Sequence, residues 1–357
     1  MTERNHISEV LRWLQDEPTD WGLVAAGGLG MAVPLWIANA YGHLSLGLAG
    51  AVGSLLMGNS SNGRTIRELA RNEMQVVATL ATSGLCVWLI EGHGGWTDLG
   101  VVLLVALAAI LGGYSNKASM TTSRFIIYLC IMMSAASSHN EGVFIYVLMI
   151  ATAVWTSLLI IVFGGISRRI RPPAPLRPAT CVAPSSARDR RERFLASLKT
   201  LRGWQFPIRI TSAILIAVLI AFIWPTHRYF WVAITVALIC QRPLETWPIR
   251  TTQRAIGTMI GVGAAYVLLS SPPSTSDMIL TLGIICALRL YVRNHNYLIF
   301  SALMTPVIMM ILDAGRPVEV NILFDRGAAT LMAAALVILI NALMVRAVEA
   351  QKIDVAR

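Results

Sequence analysis

Charge is what this chain has least of. Asp, Glu, Lys and Arg make up 13% of its 357 residues, where a soluble domain carries about a quarter. So little charge cannot cover a water-facing surface, which excludes an ordinary soluble globular protein. Cysteine is scarce as well. Cys86, Cys130, Cys181, Cys240 and Cys286 fall at no metal-ligand spacing, and four of them lie inside apolar runs, where they read as small hydrophobes. No phosphate-cradling glycine loop, no Ser–His–acid arrangement and no Cys–His arrangement is visible. The expectation is therefore no metal, no cofactor and no enzymatic activity, and any energy for work comes from an ion gradient. No cleavable leader is expected either. Residues 1–20 end in Asp16, Glu17 and Asp20, and Ile7, Val10, Leu11 and Leu14 share one face of a short interfacial helix.

Apolar sequence is what fills the chain. Hydrophobic residues make up 55% of it, and the mean hydropathy is +0.64. Such unbroken runs exclude a transmembrane β-barrel. They predict an all-α, polytopic helical membrane protein of about twelve transmembrane helices. The spans read as Trp21–Tyr41, Leu44–Gly58, Met74–Ile90, Leu99–Tyr114, Phe125–Ser137 and Val143–Ile166, then Ile208–Ile223, Tyr229–Gln241, Ala255–Leu269, Met278–Val292, Tyr297–Leu312 and Ile322–Val345. Several fall short of the roughly 20 residues that an isolated spanning helix needs. Either helices extend into polar ends, or some are half-helices packed inside the protein.

The placement of positive charge supports that count. Arg64, Arg67, Arg71, Lys117, Arg124, Arg242, Arg250, Arg254 and Arg293 fall on one side, together with both termini and the basic linker, whereas only Arg228 and Arg316 fall on the other. Positive residues in short loops stay cytoplasmic, so both termini are expected on the cytoplasmic side. Basic residues spread over loops in this way exclude nucleic acid as a partner. The expected organisation is a cytoplasmic interfacial segment over 1–20, a first six-helix half over 21–166 and a basic, proline-rich, mobile cytoplasmic linker over 167–206. A second six-helix half over 207–346 and a tail over 347–357 complete it. Arg71 and Arg254 precede the third span of each half, and Tyr114 and Tyr291 close each fourth span. The halves thus read as a pseudo-repeat of parallel type.

Glycine is placed oddly in "QRAIGTMIGVGAAYVLL", Gln253–Leu269. Helices in lipid gain by close packing, which small residues permit. Gly257 and Gly261 form a G-x-x-x-G face for such packing. Thr258 bonds its own helix or a partner, and Arg254 lies before the span, within reach of headgroups or a neighbouring loop.

"RAIGTMIG", Arg254–Gly261, resembles the R-x-x-G-T-x-x-G signature of the fusaric acid resistance-like superfamily, which includes the aromatic acid exporters. "YFWVAITVALICQRP", from Tyr229, resembles the aromatic-led second span of that family, and "RGAATLMAA", from Arg326, its arginine–threonine motif. The resemblance covers Phe206–Val345 and extends to the membrane region of plant aluminium-activated malate channels. It implies an inner-membrane secondary transporter, a proton-driven exporter of small organic anions such as aromatic carboxylic acids. The alternatives are a passive anion channel and a non-transporting membrane anchor or assembly component.

Ionisable groups at membrane depth tend to line a pathway. On that ground Arg289, Arg326 and Arg209 are candidates for holding a carboxylate, Trp231 for contacting a ring and Asp325 for carrying a coupling proton. Each arginine also has a plainer reading, as a snorkelling or capping group. The expected partners are a small organic anion and membrane lipids, with a homo-oligomer or an accessory efflux subunit left open. A topology test follows. In a background without native cysteines, a single cysteine at Ser185 should stay unlabelled by an impermeant thiol reagent in intact cells; efficient labelling would overturn the span count.

Overall fold

A computed structural model describes residues 9–11, 13, 19–58, 65–138, 143–170, 186–224, 230–242, 247–270, 274–293, 295–313 and 320–356. Its elements are α1 (Trp21–Ala40), α2 (Leu44–Leu56), α3 (Ile66–Ile90), α4 (Gly95–Leu111), α5 (Asn116–Ser138), α6 (Val143–Ile170), α7 (Ala187–Ser197), α8 (Leu201–Ile223), α9 (Phe230–Ile239), α10 (Trp247–Ser270), α11 (Thr275–Val292), α12 (Tyr297–Asp313) and α13 (Val320–Ala356). There is no strand among the described residues. All helices except α7 fall, in order, on the apolar runs read from the sequence.

Length separates these helices. Seven are long and apolar enough to cross a membrane: α1, α3, α5, α6, α8, α11 and α13. The chain is therefore a multi-pass, all-helical membrane protein. Apolar helices α2, α4, α9 and α12 are shorter. With 13 residues in α2 and 10 in α9, at about 1.5 Å per residue, these two reach only about 20 and 15 Å of a hydrocarbon core roughly 30 Å thick.

Two helices begin earlier than hydropathy suggests. The third span was expected from Met74, yet α3 starts at Ile66, with Thr65 and Glu68 forming a reciprocal capping box. Its buried stripe runs Leu69, Glu73, Val76, Leu80, Gly84 and Val87, at helical spacing, while Arg71 and Met74 stay exposed. Likewise α10 starts at Trp247, not Ala255. The linker expected to be mobile contains helix α7. Ser186 caps it by accepting from the Asp189 N–H, and hydrogen bonding with Ser186 holds the Asp189 carboxyl below its ordinary range. Residues 171–185, with Cys181, lie outside the described residues, as do Arg228 and Arg316.

The helices of the first six pack as α1–α2, α1–α6, α2–α6, α3–α5, α3–α6 and α4–α5. Those of the last six pack as α8–α9, α8–α13, α9–α13, α10–α12, α10–α13 and α11–α12. Between the two groups α1 meets α11, α4 meets α8, α2 meets α12 and α5 meets α9. A strap from the N-terminus joins the second group: the Val10 carbonyl accepts from the Gln253 amide, and Trp13 packs on Tyr291 and His295. Val10 is buried, whereas Leu11, expected with it on one face of an interfacial helix, is exposed.

The glycines of α10 face α12 at backbone contact. A Cβ added at Gly257 would lie 2.5 Å from the Leu298 carbonyl oxygen, and one at Gly261 would lie 2.5 Å from that of Ala302. Pro306 explains the second approach. It has no N–H, so the Ala302 carbonyl one turn before it lacks its helical donor, and only a residue without a side chain can lie against that oxygen. Thr258 and Ser301 hydroxyls stand 3.5 Å apart on the same seam. Because backbone cannot yield as a side chain does, Gly261→Leu should cost more than the roughly 1–3 kcal/mol of ordinary overpacking. Thermal unfolding in detergent checks this; a variant as stable as the parent would mean the seam is looser than described.

Candidate functional site

Short helices leave a problem at their ends. The last four carbonyls of a helix have no intrahelical donor, and in lipid no water replaces one. Arginines meet this need at α2 and α9. Arg289, on α11 and buried, donates through Nη1 to the Leu55 carbonyl and through Nη2 to those of Ser54 and Met57, 3.4 Å each. Arg293 donates to the Gly58 carbonyl at 2.8 Å. At the end of α9, buried Arg209 donates through Nη2 to the Gln241 carbonyl at 3.0 Å and through Nε to Asn341 Oδ1. Arg242 donates to the Ala109 carbonyl of α4 at 2.7 Å. A guanidinium suits these positions, since cations are favoured at helix C-termini. Arg289 and Arg209, both candidates for holding a carboxylate, thus direct their forks at the protein's own carbonyls.

Arg254 and Arg326 behave differently. Each is 1% exposed, and each has Nε and Nη2 buried without an acceptor. Among the described residues no hydrogen bond or ion pair engages either guanidinium. The two are close enough to repel one another. They come from helices packed side by side, Arg254 as the eighth residue of α10 and Arg326 as the seventh of α13. Trp231 near the start of α9, also 1% exposed, lies under Arg326, its ring centroid 4.9 Å from the guanidinium carbon. That is a cation–π contact, and it occupies one face of the ring expected to meet a substrate. Asp325 is buried on the same turn as Arg326.

The structure therefore brings together Arg326, Trp231 and Asp325 from the expected set, adds Arg254, and leaves Arg289 and Arg209 elsewhere. Arg254, expected before its span, lies inside α10, which begins seven residues earlier at Trp247. The available signal was Pro248, since proline is favoured in the first turn of a helix. Sequence reasoning also passed over Glu73. This glutamate is completely buried on α3, with the Ser157 hydroxyl of α6 3.4 Å from Oε2. Among the described residues, no three His, Cys, Asp or Glu side chains are grouped to hold a metal ion.

No curated protein and no solved structure matches the chain significantly. Residues 216–340, from within α8 to within α13 and so including Trp231, Arg254, Gly257, Gly261 and Arg326, match the family described as fusaric acid resistance protein-like, which supports the family that Arg254–Gly261 pointed to.

Proposed function

We propose that this protein is an inner-membrane secondary transporter that exports small organic anions, such as aromatic carboxylates, with Arg254 and Arg326 as the anion site. One observation carries the reading. Two buried guanidinium groups repel each other and hold donors with no acceptor. Burying a single unpaired ion costs several kcal/mol, and two together call for an anion between them. A carboxylate accepts from such forks in pairs. The free face of Trp231 suits an aromatic ring beside it. The family match favours transport or efflux over catalysis.

The architecture supports this reading. Both six-helix groups have the same order of helix neighbours, and their mutual contacts are reciprocal: α1–α11 matches α8–α4, and α2–α12 matches α9–α5. We read them as two copies related by an axis along the membrane normal, twelve membrane-embedded helices in all, with both termini cytoplasmic. In that orientation α10 runs outward and α13 inward, so Arg254 lies about 10 Å from the cytoplasmic end of its helix and Arg326 about 9 Å from the external end of its own. The site then lies near the midplane, where rocking of one half against the other exposes it to either side in turn. A proton gradient supplies the energy, and Asp325 and Glu73 are the carboxylates buried to carry it among the described residues.

The test is transport of a labelled aromatic carboxylate in proteoliposomes at matched protein levels. Arg254→Gln and Arg326→Gln should each weaken apparent affinity roughly tenfold or more, the equivalent of one charge-assisted hydrogen bond of about 1.5–3 kcal/mol. Lysine at either position should restore part of the activity, because it keeps the charge but not the fork. Arg289→Gln should lower the melting temperature without changing the affinity of the protein that remains folded. Normal transport by both glutamine variants would remove the anion site. An exporter stops when an uncoupler collapses the proton gradient; transport that persists, with a current following the anion gradient, would identify a channel instead.

A further inference from the structure

We propose that Glu73 is the proton-binding residue, so that the proton is carried in the first six-helix half and the anion in the second. The inference rests on the transport reading above. It starts from a correspondence between helices. On α3 the buried positions include Glu73, Val76, Leu80 and Gly84; on α10 they include, at the same spacing, Arg254, Gly257, Gly261 and Ala265. Both helices pack on the fifth and sixth helices of their own half. The matching of buried faces pairs Arg254 with Glu73, two positions beyond the exposed Arg71. On α6 and α13 the same comparison pairs Met149, Thr152, Thr156 and Ile160 with Arg326, Ala329, Ala333 and Val337, all buried. Where one half has two cations at these positions, the other has a carboxylate and a thioether.

The surroundings of Glu73 suit a group that changes its charge. Complete burial favours the neutral acid, and a cation brought close would favour the carboxylate. From α6, Ser157 turns its hydroxyl to Glu73 at 3.4 Å and to the Met57 sulfur at 3.3 Å. From α5, Tyr128 interacts electrostatically with Glu73, and also with Arg124 on its own helix and with Arg289 and Arg293 from α11. The titratable group of α4 is Asp98, which lies at the far end of α3, where Thr97 bonds the Ile90 carbonyl. That is about 25 Å along the helix from Glu73. Two of the three cations around Tyr128, Arg289 and Arg293, thus come from the opposite half, and they reach it by holding the end of α2. A movement of one half against the other shifts them relative to Glu73 and changes which protonation state is favoured. In each cycle the carboxylate takes one proton from the external side to become the acid, and returns it to the cytoplasmic side. Asp325 is the weaker candidate, because it shares a helical turn with Arg326 and so sits within the anion site itself.

Two measurements on the full-length protein test this. In proteoliposomes, Glu73→Gln should lose accumulation of labelled aromatic carboxylate driven by a pH gradient and keep gradient-free exchange of labelled for unlabelled anion. Arg326→Gln, by contrast, should weaken both roughly tenfold or more. Normal gradient-driven accumulation by Glu73→Gln would overturn the assignment. The second measurement needs no substrate. The infrared difference spectrum of purified protein between acidic and alkaline pH should contain a buried carboxylic-acid carbonyl band that Glu73→Gln abolishes. Persistence of every such band in the variant overturns the proposal, whereas loss of the band with no anion transport by the parent protein overturns only the transport reading. If Glu73→Gln fails to fold, Glu73→Asp keeps the carboxyl, and the pH midpoint of its band should move; an unmoved midpoint counts against Glu73.

Discussion

The interaction on which this structure depends is the one between arginine and the exposed carbonyls of helices that stop short. A helix that ends inside a membrane protein leaves a cluster of oxygens with partial negative charge and no solvent. Arg289 meets those oxygens at α2 with several donors, and Arg209 meets the Gln241 carbonyl just past the end of α9 with one. Because Arg289 comes from the other six-helix group, it also fastens the two groups together. Arg209 does a local version of the same work, joining α8 to the end of α9 and to Asn341 of α13. Without such donors the carbonyls at these helix ends would be buried unpaired, which costs free energy in a medium without water.

Much of the fold was legible in the sequence, and the reason is physical. Lipid asks only for apolar length, which hydropathy measures directly, so every long apolar run became a helix. The glycine seam was legible too, because Gly257 and Gly261 at a spacing of four have few uses besides close approach. Helix starts were less so. At α3 and α10 the first two turns are polar in composition but buried along one stripe, and mean hydropathy averages that stripe away. This is how Arg254 and Glu73 were left outside the membrane. The roles of individual arginines were the least legible. Arg289 and Arg326 both lie inside apolar runs, and nothing local says that one meets helix-end carbonyls while the other meets a tryptophan ring and a second arginine. That difference comes from which distant helix is adjacent.

Similar packing with different polar chemistry is a further theme. The two six-helix groups use the same order of neighbours, yet the buried positions of the second hold Arg254 and Arg326 where those of the first hold Glu73 and Met149. Packing constrains the size and direction of such side chains much more than their charge, so one framework can carry opposite chemistry on its two sides.

The N-terminal strap has a consequence for modularity. Val10 and Trp13 precede the first six-helix group in the chain but are bonded to Gln253, Tyr291 and His295 of the second. The covalent order and the spatial partition of the molecule therefore disagree at this point. A hybrid assembled by cutting within the linker would transplant a half without the piece of chain that covers it, and the covering piece would arrive with the wrong half. Recombination between relatives along the obvious boundary is disfavoured for this reason, and the more so because the buried core runs through both groups.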